Sequence, residues 1–399
     1  MKTLKNLATL CLSALLLLGC NPDIPDQGTE NGGNNNSDHT KGLVLVVDKL
    51  FIYNNGGIDE NGIATFTVYY NGVDVTNEDD TIIYYGSKEI KNDELVGNTY
   101  TSTAEPCSVY FGASYKVDNT PKGADIVLNI VQTPPAAPAA PVDNNPSKTD
   151  FVRRVLLTQF TGTSCGFCPE MMNALYTTAN NAVYGKKFIL AAAHLYGTAD
   201  PAYLNDAKAL DKSMGVNSYP TVNVDMWKNN TNRDANSVAA LIQSALDRST
   251  VKGGIAANTK YHEEEKYITL TCLVKAKESG NFRIGAWLLE DKISGQQANN
   301  GYTAIQGVDF NTHNNCIRIA NKSRQSGEDY SGITLGYIEA GKTASHEFAF
   351  PLLNQGWKVD NLRIVIFIST KDGNEWYVNN VINAPIDGSV DFEYITPAQ

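Results

Sequence analysis

Apolar and polar positions alternate with a period of two through much of this chain, which is typical of β-strands that bury one face. Short β-branched or aromatic runs recur from residue 42 to 132 and again from residue 251 to 399, separated by turns rich in Asn, Gly and Asp. Each of these two regions therefore predicts a β-sandwich.

Residues 149–250 have a different pattern, in which apolar strands alternate with amphipathic helices. Val155–Phe160 is a predicted buried strand, and Ser237–Asp247 carries apolar residues at helical spacing. Asn236 or Ser237 is the expected N-cap of this helix. Strand–helix order of this kind predicts a mostly parallel sheet with helices on its faces, so the predicted fold class is α/β + β.

Residues 133–148 join the first sandwich to the α/β region. Thr133–Pro141 consists mostly of proline and alanine, which favours an extended chain with a rise of about 3.1 Å per residue. We expect a semi-rigid spacer that holds the first domain (residues 42–132) away from the second (residues 149–250).

The start of the chain predicts export. Lys2 and Lys5 precede an apolar stretch, residues 7–18, which has the length of a signal peptide and is too short for a comfortable membrane span. We interpret residues 1–19 as a lipoprotein signal peptide.

Leu17-Leu18-Gly19-Cys20 resembles the bacterial lipobox, which implies lipidation of Cys20; an ordinary secretory signal with a chance cysteine is the alternative. Residues 20–41 have almost no apolar side chains and are expected to form a disordered tether. Asn21 replaces the aspartate that retains some bacterial lipoproteins at the inner membrane. We therefore expect a lipid anchor in the outer membrane, with the protein on the periplasmic face or at the cell surface.

Cys165-Gly166-Phe167-Cys168-Pro169 is the candidate chemical site. It follows the predicted strand and precedes a predicted amphipathic helix. Two thiols at this spacing can close a disulfide, and a helix N-terminus favours the thiolate form. A zinc site would need two further ligands, and His194 stands alone in this region, so we expect no metal and no cofactor.

Composition narrows the range of partners. The net charge of −11 argues against nucleic acid as a partner, because neutralising phosphates requires a basic surface.

Cys107, Cys272 and Cys316 lie downstream of the signal and outside the motif. Cys272 and Cys316 are candidates for a second disulfide, and three inert buried thiols are the alternative.

Met214–Val222 resembles the segment of thioredoxin-fold proteins that ends in a cis-proline beside the dithiol. The resemblance implies a thioredoxin-like domain over residues 149–250. It also implies that the backbone of Tyr219, together with Pro220 and the side chain of Phe167, contacts an extended peptide substrate.

By the same resemblance, Cys165 attacks a substrate disulfide and Cys168 resolves the mixed disulfide. Thioredoxins carry a buried acid six residues before the first cysteine, and Gln159 occupies that position here. A neutral amide cannot accept a proton from the second thiol. His194 is a candidate substitute, and a structural role for His194 is the alternative.

Thr161–Cys165 and His313–Arg318 resemble segments of the outer membrane protein 28-related lipoproteins. Asn71–Thr76 resembles a recurring piece of bacterial immunoglobulin-like modules. These resemblances imply a thioredoxin-like central domain, flanked by an N-terminal immunoglobulin-like domain and a C-terminal β-sandwich.

Two functions follow from these patterns. The leading hypothesis is an extracytoplasmic, lipid-anchored thiol–disulfide oxidoreductase that acts on protein disulfides and exchanges electrons with a reductant partner. The alternative is a non-catalytic lipoprotein for adhesion or ligand binding, in which the bond between Cys165 and Cys168 is structural.

Overall fold

The computed structural model describes residues 42–48, 51–54, 62–87, 91, 93–102, 107–116, 126–196, 199–204, 207–320, 330–352 and 356–396. Contacts divide the chain into two compact units, residues 1–133 and residues 134–399. The predicted signal peptide, the lipidation site Cys20 and the tether of residues 20–41 lie outside the described residues.

The first unit consists of β-strands joined by short turns. The strands are β1 (Leu43–Val47), β2 (Phe51–Tyr53), β3 (Ile63–Tyr70), β4 (Val73–Asp74), β5 (Thr81–Gly86), β6 (Asp93–Glu94), β7 (Thr99–Thr101), β8 (Cys107–Tyr115) and β9 (Ile126–Val131). They form two sheets, β1–β3–β4 with β7 beside β3, and β2–β9–β8–β5–β6.

The core of the first unit lies between these two sheets. Phe66 and Val68 of β3 are buried, because alternate side chains of a strand point to the same face. Phe66 stacks on Phe111 of the opposite sheet, with ring centroids 4.4 Å apart. The predicted β-sandwich is confirmed at this level, and its immunoglobulin-like character stays a prediction.

The second unit combines helices with longer strands. Its helices are α1 (Cys168–Ala179), α2 (Ala207–Ser213) and α3 (Ala235–Arg248), with a 3-10 turn at Val359–Asn361. Its strands are β10 (Val155–Thr161), β11 (Phe188–His194), β12 (Thr221–Val224), β13 (Lys228–Asn230), β14 (Gly253–His262), β15 (Tyr267–Ala276), β16 (Gly280–Glu290), β17 (Ile293–Ser294), β18 (Thr312–His313), β19 (Cys316–Ala320), β20 (Ile333–Ile338), β21 (Thr343–Pro351), β22 (Leu362–Asp372), β23 (Glu375–Ala384) and β24 (Gly388–Val390).

A nine-stranded sheet forms the centre of the second unit, in the order β13–β12–β10–β11–β19–β16–β22–β23 with β20 beside β16. β10 and β11 are parallel, whereas β12 runs antiparallel to both β10 and β13. β19 extends this sheet from β11, where Ala192 is paired with Cys316.

This sheet crosses the domain boundary predicted at residue 250. Phe160 of β10 packs in the same buried cluster as Trp287 of β16 and Phe367 of β22. Residues 149–250 and 251–399 therefore share one sheet and one core, because β19 supplies the neighbour that β11 would otherwise lack. Their assignment to two separate domains stays a prediction.

A second sheet, β21–β15–β14–β24, packs on the β16 and β22 part of the central sheet. Leu270 of β15, Ile284 of β16 and Ile366 of β22 belong to one buried cluster between them. The C-terminal region is thus a sandwich of two sheets, as the alternating pattern predicts.

The other end of the central sheet is covered on one face by α1 and α3. Met171 of α1 and Leu241 of α3 pack with Leu157 of β10. Asp234 caps α3, since its carboxylate accepts a hydrogen bond from the Ser237 amide at 2.9 Å. The predicted caps, Asn236 and Ser237, are wrong. The helix begins before both of them, because the carboxylate of Asp234 supplies the acceptor for the Ser237 amide.

Residues 134–148 lie along the second sheet. Asn258 donates its side-chain amide to the Ala139 carbonyl at 2.8 Å. Lys275, which is 1% exposed, bonds to three oxygens, those of Asp143 (2.7 Å), Asn145 (3.2 Å) and Pro146 (2.8 Å). These residues are therefore attached to the sheet: an extended Pro-rich chain leaves its carbonyls unpaired, and polar side chains of the sheet bind them. Their role as a semi-rigid spacer stays a prediction.

We expect Lys275→Met to lower the free energy of unfolding by about 1–2 kcal/mol, because it removes a buried charged donor from three oxygens. Lys277→Met is the matched control. Lys277 pairs with Asp150 at the surface, so its loss is expected to cost less than about 0.5 kcal/mol. Urea denaturation measures both values, and equal losses would contradict the anchoring role of Lys275.

Candidate functional site

The two cysteines of the C-x-x-C motif are joined by a disulfide bond, Cys165–Cys168. They lie in the connection from β10 to α1, of which residues 162–167 are here named the motif loop. Two turn hydrogen bonds shape it: the Cys165 amide donates to the Gly162 carbonyl (3.0 Å), and the Cys168 amide to the Cys165 carbonyl (3.1 Å). Because α1 begins at Cys168, the disulfide lies at a helix N-terminus, which favours negative charge.

The two cysteines are far less exposed than Phe167, one of the two residues between them. Cys165 is 6% exposed and Cys168 is fully buried, whereas Phe167 is 47% exposed. The guanidinium carbon of Arg233 lies 5.0 Å from the centroid of the Phe167 ring, and Arg233 also pairs with Glu170. The motif loop therefore exposes the aromatic ring of Phe167 beside the ion pair of Arg233 and Glu170.

The Tyr219–Pro220 peptide bond is cis. Pro220 leads directly into β12, whose first residue, Thr221, is paired with Phe160 of β10. The chain at Pro220 thus lies beside the end of β10, where the motif loop begins. The structure brings the two predicted segments, one around Cys165 and one around Pro220, to the same end of the sheet.

Tyr196 connects these two segments. Its ring meets the Tyr219 ring edge to face, with centroids 5.5 Å apart, and it lies so close to Gly162 that a Cβ there would be 2.5 Å from the ring. Glycine is therefore required at position 162 for this contact. The Tyr219 hydroxyl donates to Asp211, and burial together with this carboxylate raises the pKa of Tyr219.

A buried aspartate anchors the motif loop to β11. The Asp200 carboxylate accepts hydrogen bonds from Nδ1 of His194 (2.9 Å) and from the amides of Thr163 (2.7 Å) and Ala202 (2.9 Å). Burial alone raises the pKa of Asp200, but these hydrogen bonds and the attraction of His194 outweigh it and lower the pKa to about 2. Asp200 is therefore ionised, so Nδ1 of His194 carries a hydrogen.

His313 lies against this pair. Its ring meets the His194 ring edge to face at 5.0 Å, and its Nε2 bonds to the Gly295 carbonyl at 3.0 Å. Burial and the neighbouring His194 lower the pKa of His313. Sequence reasoning singled out His194 and missed Asp200. The signal for Asp200 was its position, six residues after a histidine that ends a predicted strand.

Gln159 occupies the position that the thioredoxin resemblance assigns to a buried acid. Its side chain is 5% exposed, and Nε2 has no hydrogen-bond partner. A buried amide donor cannot take a proton from Cys168. The predicted role of His194 as a substitute acceptor stays a prediction, now with Asp200 as the group that orients its ring.

A segment from the C-terminal region covers the motif loop. Residues 295–307, named here the strap, leave the hairpin of β17 and β18 and contact the loop and α1. Gln297 is its buried side chain. Sequence reasoning missed Gln297, because nothing local marks a contact between residues about 130 positions apart.

The motif loop also matches the G-x-S-x-G pattern through Gly162, Ser164 and Gly166. In serine hydrolases this pattern forms a strained strand-to-helix turn. Ser164 is not among the described non-glycine residues with positive φ, and its neighbour Cys165 is held in a disulfide. The backbone here therefore lacks the strain of such a turn.

The remaining described cysteines form no disulfide bond. Cys272 of β15 and Cys316 of β19 are fully buried in different sheets and do not pair, and burial raises the pKa of each. Cys107 is half-buried. Among the described residues no group of three His, Cys, Asp or Glu side chains is placed to hold a metal ion, and none of the described helices is long and apolar enough to cross a membrane.

Comparison with solved structures finds similarity to HBP35 of Porphyromonas gingivalis, with 17% sequence identity and a TM-score of 0.48, covering 63% of this chain and 80% of that chain. Three N-terminal domains of the bacteriophage RB49 Highly Immunogenic Outer Capsid protein (Hoc) give a TM-score of 0.13 at 6% identity, covering 89% and 99% of the two chains. No curated protein matches the chain significantly.

The family model of outer membrane protein Omp28 matches residues 207–389. This range includes His313–Arg318, one of the two segments on which the predicted resemblance was based, and excludes the motif loop. Over residues 207–389 the chain is thus similar to the outer membrane protein Omp28 family, and the predicted resemblance is confirmed for that part.

Proposed function

We propose that this chain is an extracytoplasmic, lipid-anchored thiol–disulfide oxidoreductase that acts on protein disulfides through Cys165 and Cys168. The observation that carries the proposal is the disulfide between these residues at the junction of a buried strand and α1. Reduction of this bond would release a Cys165 thiolate just before the helix, where the dipole and the free amides stabilise it.

A thioredoxin-like arrangement of residues 149–250 is part of this proposal. It is supported by the strand order β13–β12–β10–β11 and by the single parallel pair in it, β10 and β11. It is further supported by the packing of α1 and α3 on one face of β10. The position of the motif between β10 and α1, beside the start of β12, fits the same arrangement.

The proposed reaction conserves electrons as a dithiol–disulfide exchange. The Cys165 thiolate attacks one sulfur of the substrate disulfide, forming a mixed disulfide and releasing the other substrate sulfur as a thiolate. The Cys168 thiolate then attacks Cys165 Sγ, and the second substrate sulfur leaves. Two electrons pass to the substrate, the Cys165–Cys168 disulfide is restored, and a reductant partner must supply two electrons for the next cycle.

Substrate contacts are proposed at the exposed edge of the motif loop. Phe167 and Tyr196 are large exposed aromatic side chains. Phe167 lies between the two cysteines in sequence, Tyr196 lies against Gly162 of the motif loop, and Tyr219 packs on Tyr196. Aromatic surfaces of this kind bind extended peptides well, since they bury much area at little cost in side-chain entropy. The backbone at Tyr219 and Pro220 is the proposed pairing edge.

An outer-membrane location is proposed from two observations. The matching family carries the name outer membrane protein Omp28, and the start of the sequence resembles a lipobox ending in Cys20. Lipid attachment at Cys20 would fix the chain to the membrane, with residues 20–41 as the tether.

Burial of the disulfide favours a second candidate, a non-catalytic lipoprotein for adhesion or ligand binding. Cys165 and Cys168 are both buried, and the strap lies over the motif loop. A structural disulfide has these properties. Its reduction potential is expected below about −300 mV, out of reach of cellular thiols.

Turnover of a protein disulfide tests the proposed function. The chain is incubated with insulin and dithiothreitol, and reduction of insulin is compared with dithiothreitol alone. We expect faster reduction with the chain present, and a potential of Cys165–Cys168 within the range that glutathione buffers can titrate. A rate equal to the background, with a bond that glutathione leaves intact, would favour the structural disulfide.

A further inference from the structure

The strap holds the motif loop by side-chain and backbone hydrogen bonds. Nε2 of Gln297 lies close to four carbonyl oxygens, those of Gly162 (3.1 Å), Thr163 (3.2 Å), Cys165 (2.9 Å) and Ala298 (3.1 Å). Since only a donor fits among four acceptors, the amide orientation is fixed. Gln297 thus joins the strap to the backbone of three motif-loop residues.

Two backbone bonds continue the same contact. The Ala298 amide donates to the Thr163 carbonyl at 2.7 Å, and the Asn300 amide donates to the Gly166 carbonyl at 3.0 Å. The Asn300 side chain also lies against Gly166, where a Cβ would be 2.2 Å from Oδ1. The strap therefore follows the loop on both sides of Cys165.

The strap is also attached to α1. The Asn173 side chain donates to the Thr303 carbonyl (2.9 Å) and accepts from the Ile305 amide (3.2 Å). Gly307 lies against the Tyr176 hydroxyl, where a Cβ would be 2.1 Å away. Release of the bonds to the motif loop would thus leave the strap held at α1 and at the β17–β18 hairpin.

We propose that the strap is a gate over the disulfide: it encloses Cys165 in the resting protein, and a reacting thiol or disulfide reaches Cys165 Sγ only after Gln297 releases the motif loop. The proposal rests on the proposed function for its biological meaning, as regulation of the same site. It accounts for the low exposure of Cys165, which is 6% exposed although Phe167 of the same loop is 47% exposed. Since only the open fraction reacts, loosening the gate raises the observed rate.

The test measures reduction of the oxidised, folded chain by dithiothreitol. The reductant thiolate attacks Cys165 Sγ, the Cys168 thiolate leaves, and the second reductant thiol then releases Cys165 as a thiolate. Samples are quenched with acid and alkylated, and the peptide that contains both cysteines is measured by mass spectrometry. This readout does not depend on whether the chain turns over a protein substrate, so failure of the gate and failure of the proposed function are distinguishable.

We expect Gln297→Ala and the isosteric Gln297→Glu to react at least about tenfold faster than the wild type, because both lose the donor to the three carbonyls. Gln296→Glu is the matched control: it adds the same charge at the exposed neighbouring residue and is expected to stay within about twofold of the wild type. Hydrogen exchange at the Ala298 and Asn300 amides reports whether the strap has opened.

Unchanged reduction rates in both Gln297 variants overturn the proposal. If hydrogen exchange at the two amides has increased, the strap has opened without changing the rate, so the strap does not limit access to Cys165. If hydrogen exchange has not increased, Gln297 does not hold the strap on the motif loop. Ala298→Pro, which removes the donor to the Thr163 carbonyl, provides the same test should the Gln297 variants not fold. A gain that is larger for a protein dithiol than for dithiothreitol further supports a gate.

Discussion

Replacing Cys168 with serine is expected to stop turnover at a stable mixed disulfide between Cys165 and the substrate. The serine hydroxyl cannot attack Cys165 Sγ, so the second substrate sulfur has no route to leave. Reduction of insulin should fall to the rate of dithiothreitol alone. Non-reducing electrophoresis should show a covalent complex that dithiothreitol dissolves.

Cys165→Ser separates the two roles. It should also stop turnover, but it should form no complex, since Cys168 is fully buried and its thiol cannot reach a protein. Cys107→Ser is the matched control, because Cys107 is in no disulfide and lies outside the second unit, and it should keep wild-type turnover. A complex formed by Cys165→Ser and not by Cys168→Ser would reverse the assigned order of attack.

The local parts of the site were readable from the sequence. The apolar run before Cys165 and the helical pattern after Cys168 determine where a strand ends and a helix begins, and residues close in sequence are necessarily close in space. Pro220 was found by its similarity to a known segment, and its placement beside β10 follows from strand pairing. Both features depend on short-range pattern and on a simple sheet order.

The parts that the sequence did not reveal depend on contacts between distant residues. β19 joins β11 through Ala192 and Cys316, and no periodicity in either strand indicates its neighbour. Gln297 reaches the motif loop for the same reason, as one polar residue in a loop without regular structure. Sequence patterns predict elements and buried faces, whereas the partner of a sheet edge or of a buried amide is set by the tertiary fold.

Polar groups buried around the motif loop are the candidates to replace the acid that thioredoxins carry at the position of Gln159. Gln159 offers only a neutral amide, while His194, held by Asp200, is bound to the loop through Thr163. The Asp200 carboxylate accepts the hydrogen on Nδ1 and so fixes the orientation of the His194 ring, which is the predicted substitute for the acid. A proton acceptor outside the β10 strand is consistent with exchange chemistry in a chain that carries glutamine at position 159.

Replacing Asp200 with alanine is expected to lower the free energy of unfolding by about 3–5 kcal/mol, because it leaves a buried imidazole and two buried amides without their acceptor. The three donors belong to His194, Thr163 and Ala202. Urea denaturation at neutral pH measures the loss. Asp247→Ala is the control, since Asp247 accepts a hydrogen bond from Gln243 on the exposed side of α3, and it should cost less than about 0.5 kcal/mol.

The pH dependence of the isosteric variant Asp200→Asn tests the charge itself. The pKa of Asp200 falls from 3.8 to about 2 on folding, so its ionisation stabilises the folded state above pH 3.8, and this contribution is lost as the pH falls towards 2. The free energy of unfolding of the wild type should exceed that of Asp200→Asn by about 2 kcal/mol at pH 5, and the two values should converge near pH 2. Other carboxyl groups titrate alike in both proteins and cancel in the difference. If the difference stays constant from pH 5 to pH 2, the charge of the carboxylate does not anchor the loop that carries Cys165. The anchor is then hydrogen bonding, which the side chain at position 200 provides in both proteins.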